Sequence, residues 1–139
     1  MSTEIAKVFL ADDCEGDGLL LRLAFIDTKC PIEITQAFDG AQAWEQLVTA
    51  ASSASFPYAL IILDLNLPRM SGLELLGKIK ALPQFSNIPI VVLTSSASPK
   101  DEIAVMERKP TAFLTKPCDF SGIQHLAKGL LPYLFPKTC

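Results

Sequence analysis

Apolar positions along the chain fall into two kinds of run that alternate. Five runs are short and rich in β-formers: Ala6–Ala11 (AKVFLA), Ile32–Ala37 (IEITQA), Tyr58–Leu63 (YALIIL), Ile88–Leu93 (IPIVVL) and Thr111–Thr115 (TAFLT). The second of these alternates at period two, as a strand with one wetter side does. The third and fourth are almost continuously apolar, as strands covered on both faces are. After each run comes a longer stretch with helical character: Asp17–Thr28, Gly40–Ala50, Gly72–Leu82, Pro99–Arg108 and Phe120–Leu131. In the third stretch Leu73, Leu76, Ile79 and Lys80 recur at three-four spacing and Pro83 closes it. The fourth opens on Ser98-Pro99, a capping residue followed by the proline that suits a first helical position. Gly16 and Gly18 are poor helix formers and predict a late or frayed start for the first helix. Pro132 disfavours helical geometry at Leu131 and predicts the end of the fifth there. Ser52–Pro57 is the most loop-like stretch and is too short to separate domains.

Five strands and five helices in strict alternation predict an α/β fold, a parallel sheet with helices on both faces. A common doubly wound arrangement has the strand order 2-1-3-4-5, with its ligand crevice between strands 1 and 3. Periodicity alone does not select that order.

Composition narrows the picture to one domain. The chain has 139 residues, half of them apolar and 19% charged, enough for a packed core and too apolar for disorder. The net charge of −3, with Lys and Arg scattered singly, argues against a nucleic-acid-binding face. No apolar run approaches the ~18–20 residues that span a bilayer, and the first residues lack a signal-peptide layout. Cys14, Cys30, Cys118 and Cys139 form no C-x-x-C pair and no zinc spacing, and read as reduced thiols of a cytoplasmic protein.

The candidate chemistry sits at strand ends. Asp12 and Asp13 end the first strand, Asp64 the third and Thr94 the fourth, and Lys116 follows the fifth. In an open parallel sheet these ends form one rim, so the carboxylates converge there. Three anions in one pocket repel each other and need a cation, and an oxygen-only set suits Mg²⁺. Acid pair, acid, hydroxyl and amine together make a phosphoryl-transfer constellation: a nucleophilic carboxylate, metal ligands, and donors for the phosphoryl oxygens.

With the acid pair in FLADDC, the box LIILDLNLPRMSG, the strand VVLTSS and FLTKP, the chain resembles the receiver domain of two-component response regulators over essentially its whole length. The separations of 30 residues from Asp64 to Thr94 and 22 from Thr94 to Lys116 fit that family. The resemblance implies the flavodoxin-like order 2-1-3-4-5 and Asp64 as phospho-acceptor. It implies Asp12, Asp13, Asp64 and the main-chain carbonyl of Asn66 as the Mg²⁺ (or Mn²⁺) site. Thr94 and Lys116 would hold the phosphoryl group, Thr94 and Phe113 would form the switch pair, and Asn66 and Ser96 would tune dephosphorylation. The bond before Pro117 would be cis.

Departures from the family pattern are specific. Ser71 stands where an aspartate is usual and can still cap the third helix. Arg108-Lys109-Pro110 replaces the small residue and glycine that usually end the fourth helix, so that loop must turn by other means. The surplus length before the third strand, with DLNLP, resembles the small stand-alone regulators partnered with bacterial phytochromes.

Only 23 residues follow Lys116, which leaves no room for an output domain and implies a single-domain regulator rather than an enzyme. Its implied partners are a sensor histidine kinase or phosphotransfer protein, such as a bacterial phytochrome, with no nucleic acid and no membrane. An aspartate-nucleophile phosphatase would need an acid where Asn66 stands. A binding module that ignores phosphorylation would be marked by a lost site residue, and none is missing. Flavin or nucleotide binding would need a phosphate loop where Cys14-Glu15-Gly16-Asp17 stands. Apolar residues nearly all round the first helix suggest a kinase-docking surface or cover by the fifth helix. Tyr133, Leu134 and Phe135, an apolar triplet beyond the expected end of the fifth helix, suggest a homodimer through the C-terminal region or folding back onto the domain.

Overall fold

The computed structural model describes residues 5–53, 56–95 and 98–135. The elements are β1 (Ala6–Ala11), α1 (Glu15–Asp27), β2 (Ile32–Ala37), α2 (Gly40–Ala51), β3 (Leu60–Asp64), α3 (Gly72–Lys80), a 3-10 turn (Pro83–Phe85), β4 (Ile90–Thr94), α4 (Pro99–Glu107), β5 (Ala112–Thr115) and α5 (Phe120–Leu134). The strands are parallel in the order β2-β1-β3-β4-β5. Chain direction reverses its walk between β1 and β3, the position of the ligand crevice in such sheets.

Alternate residues of the central strands feed two cores. Phe9, Ile61, Leu63, Ile90 and Val92 face Leu47 of α2, Leu75, Leu76 and Ile79 of α3, and Val105 of α4. Val8, Leu10, Leu60, Ile62, Val91 and Leu93 face Leu21, Ala24 and Phe25 of α1 and Ala127, Leu130 and Leu134 of α5. This is why β3 and β4 are buried at every position and read as continuous apolar runs. Each buried Leu, Ile, Val or Phe side chain contributes about 1.5–3 kcal/mol. Among the described residues no helix is long and apolar enough to cross a membrane.

Four local features answer the sequence expectations, three of them by departing from what was expected. First, α1 starts at Glu15 rather than late, because its entry is pinned: Gln36 Nε2 donates to the carbonyls of Asp12 (2.8 Å) and Cys14 (3.1 Å). A Cβ on Gly18 would lie 1.9 Å from Gln36 Oε1, so this glycine serves close approach rather than fraying. Second, α5 runs through Pro132 to Leu134, with the Phe135 N–H donating to Leu131 O at 2.8 Å. Leu134 is buried and Phe135 packs on the same α1/α5 core, leaving Tyr133 exposed. That burial outweighs the hydrogen bond lost at proline, and the apolar triplet is largely absorbed by its own domain. The argument for a homodimer through this tail falls with it.

Third, α4 ends without glycine because Lys109 itself takes the left-handed conformation (φ 54°), donating its N–H to Met106 O. Fourth, Cys14 and Cys118 are free thiols, but Cys30 is disulfide-bonded, which corrects the expectation of reduced thiols at that position. Spacing along the chain carries no information about which sulfurs a fold brings together. Cys139 lies outside the described residues.

Candidate functional site

The parallel register brings the four strand ends level. Ala11 pairs with Leu63, Asp64 with Leu93 and Thr94 with Thr115, so the residues at or just beyond these ends share one rim. Asp12 and Asp64 are buried, Thr94 is fully buried and Asp13 is exposed. One carboxylate oxygen from each of Asp12, Asp13 and Asp64 lies within 4.8 Å of the others. Three hard oxygen donors so close fit a divalent cation such as Mg²⁺ or Mn²⁺, and would repel one another without positive charge.

Part of that charge is Lys116. Its Nζ donates to Asp64 Oδ2 at 2.9 Å, Asp12 Oδ2 at 3.0 Å and Asp17 Oδ2 at 3.0 Å, which uses every donor an ammonium has. The remaining oxygens of Asp12 and Asp64 have main-chain partners: Asp12 Oδ1 accepts from the Cys14 N–H (2.9 Å) and Asp64 Oδ1 from the Asn66 N–H (3.0 Å). Burial raises the Asp12 pKa above its ordinary value, and the Asp64 charge adds to this, although the bonds from Cys14 and Lys116 act to lower it. For Lys116 burial acts to lower the pKa, but the bonds to Asp64, Asp12 and Asp17 prevail and hold it well above the lysine range. The two directions agree physically: the shared ammonium stays firmly protonated, yet its bond does not offset the burial of Asp12.

The other expected residues are placed as follows. Thr94 ends β4, and its carbonyl accepts from the Lys116 N–H at 2.7 Å. Phe113 is half-buried on β5 opposite Val92 and packs against the α2–α4 core, on the sheet face that Thr94 also occupies. Asn66 is exposed beside the acceptor, and Ser96 lies outside the described residues. The Lys116–Pro117 bond is trans, not cis. Trans is the ordinary preference of an X-Pro bond by about 0.5–1 kcal/mol, and with it the ammonium already reaches all three carboxylates. Asp17 is the site residue that sequence reasoning missed. It stands in the first turn of α1, three residues after the N-cap Cys14, and its nearness to the acid pair could have marked it.

The acceptor's loop is held by close packing. Ser71 caps α3 as expected, its Oγ accepting from the Glu74 N–H at 3.1 Å. The Gly72 N–H donates to Leu65 O at 3.0 Å, and a Cβ on Gly72 would lie 2.1 Å from the Asp64 carbonyl oxygen and 2.8 Å from Leu65 Cα. Both are main-chain atoms with no rotamer to yield. Gly72→Ala should therefore cost about 3 kcal/mol, the upper end of overpacking, and displace Asp64. Urea unfolding checks this, and a loss under about 1 kcal/mol would show that the loop yields.

Residues 8–128 match the family model described as the response regulator receiver domain. Response regulator Rcp1 of Synechocystis sp. is 32% identical over 124 residues, covering 88% of this chain and 84% of that protein. Among solved structures, the phosphorylated cyanobacterial phytochrome response regulator RcpA aligns with a TM-score of 0.85 and 31% identity, over 97% of this chain and 98% of that one. The Mn²⁺-bound form of Rcp1 aligns with a TM-score of 0.79 and 28% identity, over 96% and 97%.

Proposed function

The chain belongs to the response regulator receiver domain family, and on that premise we propose that it takes a phosphoryl group onto Asp64 and signals by changing what it binds. The observation that carries this is the placement of Asp64: a buried carboxylate with one oxygen on the Asn66 N–H and the other on Lys116, beside two further acids. In the transfer, a carboxylate oxygen of Asp64 bonds to phosphorus. The bond from phosphorus to the kinase's imidazole nitrogen breaks, and that nitrogen leaves with the electron pair. Lys116 moves from Asp64 Oδ2 to a phosphoryl oxygen, and the Thr94 hydroxyl donates to another. Asp12, Asp13, Asp64 and the Asn66 carbonyl would hold Mg²⁺ or Mn²⁺. The ion supplies the positive charge that lets an anionic donor approach three carboxylates. Asn66, exposed beside the acceptor, would tune access of the water that later hydrolyses the acyl phosphate, a role the family resemblance also assigns to Ser96. The chain thus catalyses its own transfer and hydrolysis without being a turnover enzyme in the usual sense.

The donor is a phosphohistidine of a sensor kinase or phosphotransfer protein, and similarity to RcpA favours a bacterial phytochrome kinase. Leu19, Leu23 and Ile26 stay exposed on α1 while Leu21, Ala24 and Phe25 are buried, so this row is available to that partner. The test is intact-mass measurement of the full chain after incubation with acetyl phosphate and Mg²⁺. One phosphoryl group should be gained, and none in the presence of chelator. Absence of any gain overturns the reading.

Asp13 separates the metal from the lysine. Among the described residues no cation pairs with it, yet its oxygen sits within the cluster. Asp13→Asn should hold or raise the melting temperature of the metal-free protein and weaken Mg²⁺ binding at least tenfold, about 1.4 kcal/mol. Calorimetric titration beside thermal unfolding reads both, and intact affinity would place the metal elsewhere.

A further inference from the structure

We propose that Asp17 is a positioning residue for phosphoryl transfer: its carboxylate holds the Lys116 ammonium from outside the metal and acceptor set. The inference rests on the reading of Asp64 as phospho-acceptor. Lys116 spends its three donors on Asp12, Asp64 and Asp17. Two of those acids belong to the cluster where metal and phosphoryl group converge, and Asp17 does not. During transfer the bond to Asp64 Oδ2 must give way to one on a phosphoryl oxygen, and Asp12 would be shared with the cation it would help to hold. Asp17 is then the carboxylate that keeps its hold, so the ammonium turns about a fixed partner instead of becoming a free, flexible side chain.

Asp17 is itself held in place. It lies in the first turn of α1, whose entry Gln36 pins through the carbonyls of Asp12 and Cys14. The adjacent Gly18 lets that turn approach Gln36 more closely than any Cβ allows. The same pin therefore sets Asp12 and Asp17 relative to each other. The Asp17 side chain is 41% exposed and that of Lys116 18%, so the tether lies at the wet edge of the site with the ammonium inside.

The test uses the full chain and Asp17→Ala and Asp17→Asn, with acetyl phosphate as donor. Phosphorylation of Asp17→Ala at saturating Mg²⁺ should slow about tenfold. Asp17→Asn, which keeps an oxygen that can accept from the ammonium, should recover part of the rate. Mg²⁺ affinity by calorimetry should stay within about twofold for both, because Asp17 is outside the metal set. An equal or faster rate in Asp17→Ala overturns the proposal. So does a parallel fall in Mg²⁺ affinity, which would make Asp17 part of the metal site. Equal slowing of the Ala and Asn variants with a lowered melting temperature also overturns it, leaving Asp17 a helix-terminal charge. A natural chain that takes up no phosphate removes both this inference and the reading beneath it, whereas a phosphorylated natural chain with an unaffected Asp17→Ala removes this one alone.

Discussion

Asp64→Asn should take up no phosphate from acetyl phosphate and Mg²⁺ under conditions expected to phosphorylate the natural chain, and it should remain folded. Attack on phosphorus needs an ionised oxygen, and an amide has none to offer. The fold should survive because each neighbour keeps a partner. The side-chain oxygen can still accept from the Asn66 N–H, and Lys116 retains Asp12 and Asp17. One hydrogen bond is lost while one anion leaves a crowded cluster, so the net change in stability should stay within about 1 kcal/mol. Intact mass and urea unfolding give both numbers from one preparation. Phosphate retained by the variant would transfer the nucleophile's role to another acid of the rim.

Replacing Lys116 with methionine should destabilise the metal-free protein by about 3 kcal/mol, and divalent cation should recover much of that. Methionine has nearly the same reach and fills the space, so the loss is chiefly the charge. Asp12 and Asp64 are buried at 2% and 6% exposure and would face each other without the ammonium. Breaking a buried pair by removing one partner costs about 3–5 kcal/mol, and the lower end applies because Asp17 is partly exposed and water screens its share. The sign of the pH dependence follows from the shifts. Folding raises the Lys116 pKa, so its contribution is fully present below the ordinary lysine value of 10.5 and is lost only as pH climbs through the higher folded value. At neutral pH the full difference between natural chain and variant should appear. In acid it should shrink, since burial makes Asp12 take up a proton earlier than an ordinary aspartate. Urea unfolding with and without Mg²⁺ measures this, and a metal-free loss below about 1 kcal/mol would mean that the cluster is compensated elsewhere.

Legibility in the sequence followed the range of the physics. Strand and helix identities were readable because they depend on periods of two and 3.6 residues along a single stretch. β1 and β2 came out with their expected bounds, and the other elements shifted by one to three residues. Asp12, Asp13, Asp64, Thr94 and Lys116 were readable as a set because a parallel sheet puts every strand's carboxyl end on one rim, whatever the order of the strands. The order itself came from resemblance, and the parallel pairings bear it out.

What remained hidden lies between segments distant in sequence. Asp17 gains its role from a contact with Lys116, 99 residues away. Gly72 is required by the acceptor's own carbonyl and Gly18 makes room for the Gln36 side chain, which no local propensity reveals. Pro132 signals a helix end by its missing N–H, yet burial of Leu134 against α1 and the sheet carries α5 past it. The pattern of side chains along the chain was thus enough to determine the fold class and most of the site's chemistry. Which ammonium meets which carboxylate, and where a helix ignores its proline, was decided only by tertiary packing, because those energies depend on partners that become neighbours only after the sheet has formed.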